Sequence, residues 1–421
     1  MVAPSHQDPW AQVSEVVRLI HSGEARTRPE LAENTRLGRN IITQRIQSAL
    51  DLGLIRPSGE QRSRGGRGAE VYEFSGDQGR ILAATIGTAE LRVALTDLDL
   101  QIIESRRIEW DLMVSPQATC ERVATEMEDL LRAHPEHAAW GVGIGVPTPV
   151  QPVTGRTIGP LIAGPHALEW ATKLDIRTWF TQRMNSPVWT ESISNLATLG
   201  AAAEPDSPSD LLYVRMGRGV SAGIISGGRL HRGADALAGE ITHLTVDPSS
   251  TQICLCGRIG CLDTFASQWA VEAAAGRLLM SGDGGALESR AVTVADVVAA
   301  AEAGDPGCVD LILRAADATG RALASAVTWF NPRRVVVGGN ALAMSHLFTG
   351  ALTRTLNAQA PAGALQNLDL TQGSAERTEE LRGAAALVTE TLLSPSYLME
   401  WGPGGFPIDV TKILDRYPLL V

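Results

Sequence analysis

The chain has 421 residues, 44% of them apolar and 20% charged, with a formal net charge of −11. This is enough apolar material for two or three cored domains, and it excludes a disordered chain. No run approaches the roughly 20 apolar residues of a membrane span, and Met1 to Gln12 lacks a basic-then-apolar export pattern, so a cytoplasmic protein without a membrane partner is expected. The acidic balance argues against nucleic acid only as an average over the whole chain. Between Arg36 and Arg67 the seven arginines Arg36, Arg39, Arg45, Arg56, Arg62, Arg64 and Arg67 face only Asp51 and Glu60, a local surplus of five positive charges.

In chain order, the first element is a helix over Ala11–Ser22, where Val13, Val16, Val17, Leu19 and Ile20 recur at helical spacing and Gly23 ends the run. Thr27 caps a second helix through Pro29, Glu30, Leu31 and Ala32. After a turn at Arg36-Leu37-Gly38, a third helix from about Arg39 to Leu52 places Ile42, Ile46 and Ala49/Leu50 inward. Arg39, Asn40, Thr43, Gln44 and Gln47 then point outward. Long hydrogen-bonding side chains on one helix face suit the DNA major groove, where Asn and Gln pair with adenine and Arg with guanine.

Leu54–Arg56 and Val71–Phe74 read as two short strands around a basic wing whose tip is Arg62-Ser63-Arg64-Gly65-Gly66-Arg67-Gly68. Arginines on a glycine backbone suit a narrow minor groove; alone, the same loop reads equally well as a solvated linker. The order helix, helix, turn, helix, basic wing predicts a winged helix-turn-helix that binds DNA, with Arg39, Asn40, Thr43, Gln44, Arg62, Arg64 and Arg67 as contacts. The competing reading is a winged helix used for protein contacts.

From Arg80 the pattern turns to strands, Ile81–Gly87 and Leu91–Asp97 first. Glycine turns close hydrophobic strands at Gly143–Pro147, Met216–Gly223 and Gly338–Asn340. The five cysteines include Cys254, Cys256 and Cys261 within eight positions, a spacing that suits a metal in a reducing compartment better than disulfides. With His243 they supply one imidazole and three thiolates, a donor set for a closed, structural zinc site. The other reading is three small buried thiols and a satisfied core histidine.

Gly239-Glu240-Ile241-Thr242-His243-Leu244, followed by Cys254-Leu255-Cys256-Gly257-Arg258-Ile259-Gly260-Cys261-Leu262-Asp263, resembles the ROK family of sugar-responsive repressors and sugar kinases. The resemblance covers about Phe74 to Leu393, and the winged helix matches the repressor branch. It implies an α/β protein: a winged helix-turn-helix (1–76) before a two-lobed actin/hexokinase-like, ribonuclease H-like domain (77–194 and 195–393), then an extension (394–421). A C-terminal helix would return to the first lobe. The resemblance also implies zinc at His243, Cys254, Cys256 and Cys261.

The family's phosphotransfer residues are altered. Thr85-Ile86-Gly87-Thr88-Ala89 stands where kinases carry Asp-x-Gly-Gly-Thr, Thr148 replaces a close-approach glycine, and Ile193 stands where the resemblance places the catalytic base. Arg218 replaces a hydroxyl in the Gly-Thr-Gly turn and is read as one half of a local ion pair. Glu240, His243 and Asp263 match the family's sugar-contact positions, whereas Ser192 and Ile193 replace the Asn and Asp that would grip sugar hydroxyls. The resemblance implies a pocket outlined by Thr148, Ser192, Glu240, His243 and Asp263 that takes a modified sugar or another metabolite, or stays empty.

The expected function is a transcriptional regulator, a repressor without kinase activity, binding double-stranded operator DNA as a homodimer or homotetramer. The alternatives are a sugar kinase and a pseudo-kinase interaction scaffold. Beyond Ser394 the chain is too apolar for a loose tail, and an ordered segment folding over a lobe or a subunit contact is expected.

Overall fold

The first helix begins where the sequence supplies a cap. In this computed structural model Asp8 accepts from the backbone N–H groups of Trp10 and Ala11, Pro9 occupies the first turn, and α1 spans Pro9–Ser22. Val13, Val16, Val17, Leu19 and Ile20 are all buried. A capping box between Thr27 and Glu30 opens α2 (Arg28–Thr35), and Arg36 turns the chain with φ 57° into α3 (Arg39–Asp51). β1 (Ile55–Gln61) and β2 (Ala69–Phe74) then pair antiparallel, Ile55 opposite Phe74. The structure describes residues 8–61, 68–152, 154–158, 175–281 and 292–405, with positions 170, 287 and 407. The wing tip carrying Arg62, Arg64 and Arg67 lies outside them.

The chain divides into two units, 1–192 with 384–421, and 193–383. Beyond the winged helix, the first unit is built on β3 (Arg80–Ile86), β4 (Glu90–Thr96), β5 (Ile102–Glu109), β6 (Ala139–Val146) and β7 (Val188–Ser192) in the order β5-β4-β3-β6-β7. β4 runs antiparallel to β3 and β5, whereas β6 is parallel to β3 and β7. α4 (Pro116–Ala133) and α5 (Ile176–Met184) supply helical cover, with Val123, Met127, Leu130 and Phe180 in a core shared with Leu82, Val93 and Ile144. Near-continuous apolar strands are what a sheet covered by helices requires.

The second unit repeats the plan. It opens with α6 (Ile193–Ala202), and its strands β8 (Leu211–Met216), β9 (Val220–Ser226), β10 (Arg229–Leu230), β11 (Arg334–Gly339) and β12 (Asp369–Gln372) lie in the order β10-β9-β8-β11-β12. Between β10 and β11 come α7 (Asp263–Ala266), α8 (Gln268–Ser281), α9 (Val294–Glu302) and α10 (Pro306–Phe330); α11 (Ala341–Met344), α12 (His346–Gln359) and α13 (Ala362–Leu365) follow β11. The antiparallel strands precede two parallel ones, β11 and β12, as in the first unit. Two copies of one strand order are the ribonuclease H-like plan expected from the sequence.

α14 (Thr378–Leu393) starts in the second unit and ends in the first, which continues with α15 (Pro395–Trp401). α15 buries Tyr397, Leu398 and Trp401 and packs on α1 of the winged helix. Ser14 Oγ donates to the Leu393 carbonyl at 2.6 Å, and a Cβ on Gly402 would sit 2.7 Å from the Trp10 ring. The described start of the extension thus packs on the winged helix. No described helix is long and apolar enough to cross a membrane.

Candidate DNA-reading helix and metal centre

α3 carries its apolar residues on one side. Ile42, Ile46 and Ala49 are buried, whereas Arg39, Asn40, Thr43, Gln44 and Gln47 are exposed. Gly38 caps the helix without a side-chain bond, which leaves its first N–H groups open at the surface. Two of these outward groups are already engaged. Thr43 Oγ1 donates to the Arg39 carbonyl at 3.0 Å, and Gln47 Nε2 donates to Asp51 Oδ1 at 2.8 Å. Among the described residues, nothing ties down the Asn40 or Gln44 side-chain amide.

The local positive surplus is thinner than the residue count indicates. Arg56 is held by Glu73 at 2.7 Å and Asp77 at 2.8 Å, and Arg45 Nε donates to Gln12 Oε1 at 2.8 Å. Those acids stand outside the counted window, so composition does not show the pairing. Ile41 is a further exposed group on α3, at 37%, and polarity-based reading passes over it.

In the second unit the zinc-type donors converge. The ligand atoms of His243, Cys254, Cys256 and Cys261 all lie within 4.8 Å of one another. Cys256 Sγ and Cys261 Sγ are 3.6 Å apart, and Cys254 Sγ is 3.4 Å from His243 Nδ1. Tetrahedral zinc with about 2.3 Å bonds to sulfur sets donor separations of about 3.7 Å, so the set fits the ion and leaves no open position.

A tight hairpin builds this geometry. Cys254 N–H donates to the Arg258 carbonyl and Gly257 N–H to the Cys254 carbonyl, both at 2.8 Å, with Gly257 at φ 82°. Bridges pair Ile253 with Ile259 and Thr245 with Cys261. The Arg258 guanidinium holds the Cys256 thiol well below its usual range, whereas burial raises Cys254 and Cys261.

The predicted pocket residues fall in both units. Thr148 and Ser192 belong to the first; Glu240, His243 and Asp263 belong to the second. Thr148 is buried and its hydroxyl donates to the Ile158 carbonyl at 3.1 Å. Ser192 is buried, and its backbone N–H donates to Glu191 Oε1 at 2.8 Å. Asp263 is buried at the start of α7, where its Oδ2 accepts from Trp269 Nε1 at 3.1 Å and lies 3.8 Å from Cys254 Sγ. Trp269 is a partner that the motif, ending at Asp263, does not announce. Glu240 is exposed on the turn before the short 3-10 turn Ile241–His243.

Thr85 is buried in β3, and Ile193, only 2% exposed, opens α6, so neither position carries a carboxylate. Arg218 differs from expectation: it is exposed and makes no ion pair with a described carboxylate, because the turn between β8 and β9 brings no acid to it.

A duplicated ribonuclease H-like body with a three-helix, two-strand head defines a sugar-kinase-type scaffold joined to a winged helix. The ROK family matches residues 81–391. The chain belongs to the ROK family, and its full-length likeness is to the family's repressor branch. It is 26% identical to the xylose repressor of Caldicellulosiruptor bescii over 395 residues, 91% of this chain and 96% of that one.

Among solved structures it resembles a ROK family transcriptional regulator, a homologue of the E. coli MLC protein. That likeness has a TM-score of 0.78 and 22% identity over 94% of this chain and 99% of that one. A ROK family glucokinase from Streptomyces griseus, solved with glucose and AMPPNP, matches 73% of this chain and 98% of its own length at 22% identity and TM-score 0.62. The two structural likenesses are likenesses of fold.

Proposed function

We propose that this chain is a sequence-specific DNA-binding transcriptional repressor whose kinase-like body serves assembly and sensing and does not transfer phosphate. The observation that carries this reading is the exposed row Arg39, Asn40, Thr43 and Gln44 on α3, backed by buried Ile42 and Ile46. It stands in a chain that aligns with a xylose repressor over 91% of its length. α3 enters the major groove, Asn40 and Gln44 read base edges, and Arg39 takes a phosphate or guanine. Arg62, Arg64 and Arg67 follow the minor groove from the wing.

Two chains related by a two-fold axis place two winged helices on half-sites separated by whole helical turns. Zinc held by His243, Cys254, Cys256 and Cys261 stiffens the hairpin and takes no part in chemistry. A small metabolite, a modified sugar or a related polar molecule, is the effector, with Thr148, Ser192, Glu240, His243 and Asp263 as its candidate contacts. The absence of a carboxylate at Thr85 and Ile193 supports a body without kinase activity, since phosphoryl transfer needs a metal-side carboxylate and a base for the attacking hydroxyl.

The test is selection of bound sequences from random duplexes by the full-length chain, with an ATP-dependent hexose phosphorylation assay on the same preparation. Enrichment of a two-fold-symmetric site with no phosphorylation above background is expected. Phosphorylation without enrichment would support the kinase alternative, and neither activity would support the scaffold.

A further inference from the structure

Polar side chains read the hydrogen-bonding edges of base pairs, but the thymine C5 methyl is read by an apolar group. α3 presents one such group. Ile41 is 37% exposed and, among the described residues of the winged helix, is the large apolar side chain left at the surface. A single exposed isoleucine is ordinary anywhere on a protein, so exposure alone carries no weight. Its position does. Ile41 follows Arg39 and Asn40 in the first turn of α3, the end that meets base edges when a recognition helix enters the major groove.

At 3.6 residues per turn, Ile41 stands about 60° around the helix from Gln44, on the flank of the face that Asn40 and Gln44 centre. Its neighbour one turn on, Arg45, is held by Gln12 of α1. Its β-branched side chain has few rotamers in a helix, so it offers a fixed apolar surface at low entropic cost. Thr43 offers the other exposed methyl of this turn, on the opposite flank, with its hydroxyl bonded to the Arg39 carbonyl.

We propose that Ile41 is a specificity-determining residue that packs on the C5 methyl of one thymine in each operator half-site. This rests on the reading of α3 as the DNA-reading helix. The test replaces thymidine by deoxyuridine, one position at a time, in an operator obtained by selection; the change removes the methyl and keeps every hydrogen-bonding group. Wild-type protein should lose about fourfold in affinity at one thymine per half-site, the worth of one buried methyl.

Ile41→Ala should bind the unmodified operator more weakly and no longer distinguish thymine from uracil at that position, while Thr43→Ser keeps the distinction. Equal tolerance of uracil at every position by the wild type, a sensitivity that survives in Ile41→Ala, or one lost only in Thr43→Ser would overturn the proposal with the DNA-reading assignment intact. Failure to select any operator would overturn both.

Discussion

The exposed face of α3 and the interior of the kinase-like body use the same kinds of polar side chain in opposite ways. On α3, Asn40 and Gln44 stand in solvent beside buried Ile42 and Ile46. In the body, Thr148 gives its hydroxyl to Ile158, Asp263 takes the Trp269 indole N–H, and Glu379 accepts from Tyr213 at 2.6 Å. A polar group that already has a partner costs little to bury, whereas an exposed one is available for recognition by a large partner. The contrast fits the proposed division, in which the head reads DNA and the body supplies architecture, assembly and sensing.

The largest expected effect tests the architectural half. Removing the metal with a chelator, or substituting Cys254→Ser, should lower the Tm by more than about 10 °C, because ligand binding free energy at a closed thiolate site is folding free energy. Calorimetry and metal analysis check this. An unchanged Tm with less than about half a zinc per chain would remove zinc from the account. The next effect tests the recognition half: Asn40→Ala or Gln44→Ala should each cost about 1–3 kcal/mol on a selected operator and relax its sequence preference, read by titration against matched and mismatched duplexes. Smaller, and different in kind, Arg64→Ala or Arg67→Ala should weaken binding evenly across sequences and lower the salt slope by about one.

The smallest concerns the second unit's interior. Burial holds the Glu379 carboxyl above its ordinary value of 4.5, against the lowering hydrogen bond from Tyr213. The folded chain therefore keeps this proton to higher pH than the unfolded chain. The associated stability is full below the unfolded value and is lost as pH rises through the folded one. Glu379→Gln keeps a carbonyl for Tyr213 and cannot ionise, so it should flatten the decline of Tm above pH 4.5. At neutral pH the Tm should be higher by about 2 °C. A pH profile parallel to the wild type would contradict the buried-carboxyl assignment.

Much of the head is legible locally. Thr27 with Glu30 and the spacing of Val13 to Ile20 mark helices that the structure contains, and α1 starts two residues earlier than its apolar pattern because Asp8 and Pro9 form the cap. Likewise Asp305 caps α10 three residues before its apolar face begins. The candidate metal donors are legible because three of the four sit in one short loop. What is not legible depends on partners distant in sequence, such as the packing of α15 on α1 and the capture of Arg56 by Glu73 and Asp77, or on a residue just past a motif's end, as Trp269 is for Asp263. Ser14 and Leu393, 379 positions apart, show why no local pattern foretells the first of these. Ile41 is missed for another reason: an apolar residue on a helix is read as core unless its place on the wheel is weighed.

The central claim, that the polar face of α3 reads DNA, is tested most directly by mapping genomic DNA bound in cells by the wild-type chain and by a chain carrying Asn40→Ala and Gln44→Ala together. The account predicts a short two-fold-symmetric motif under the wild-type peaks that is lost or degenerate in the variant. Peaks without a shared motif, or the same motif at undiminished occupancy in the variant, would contradict it.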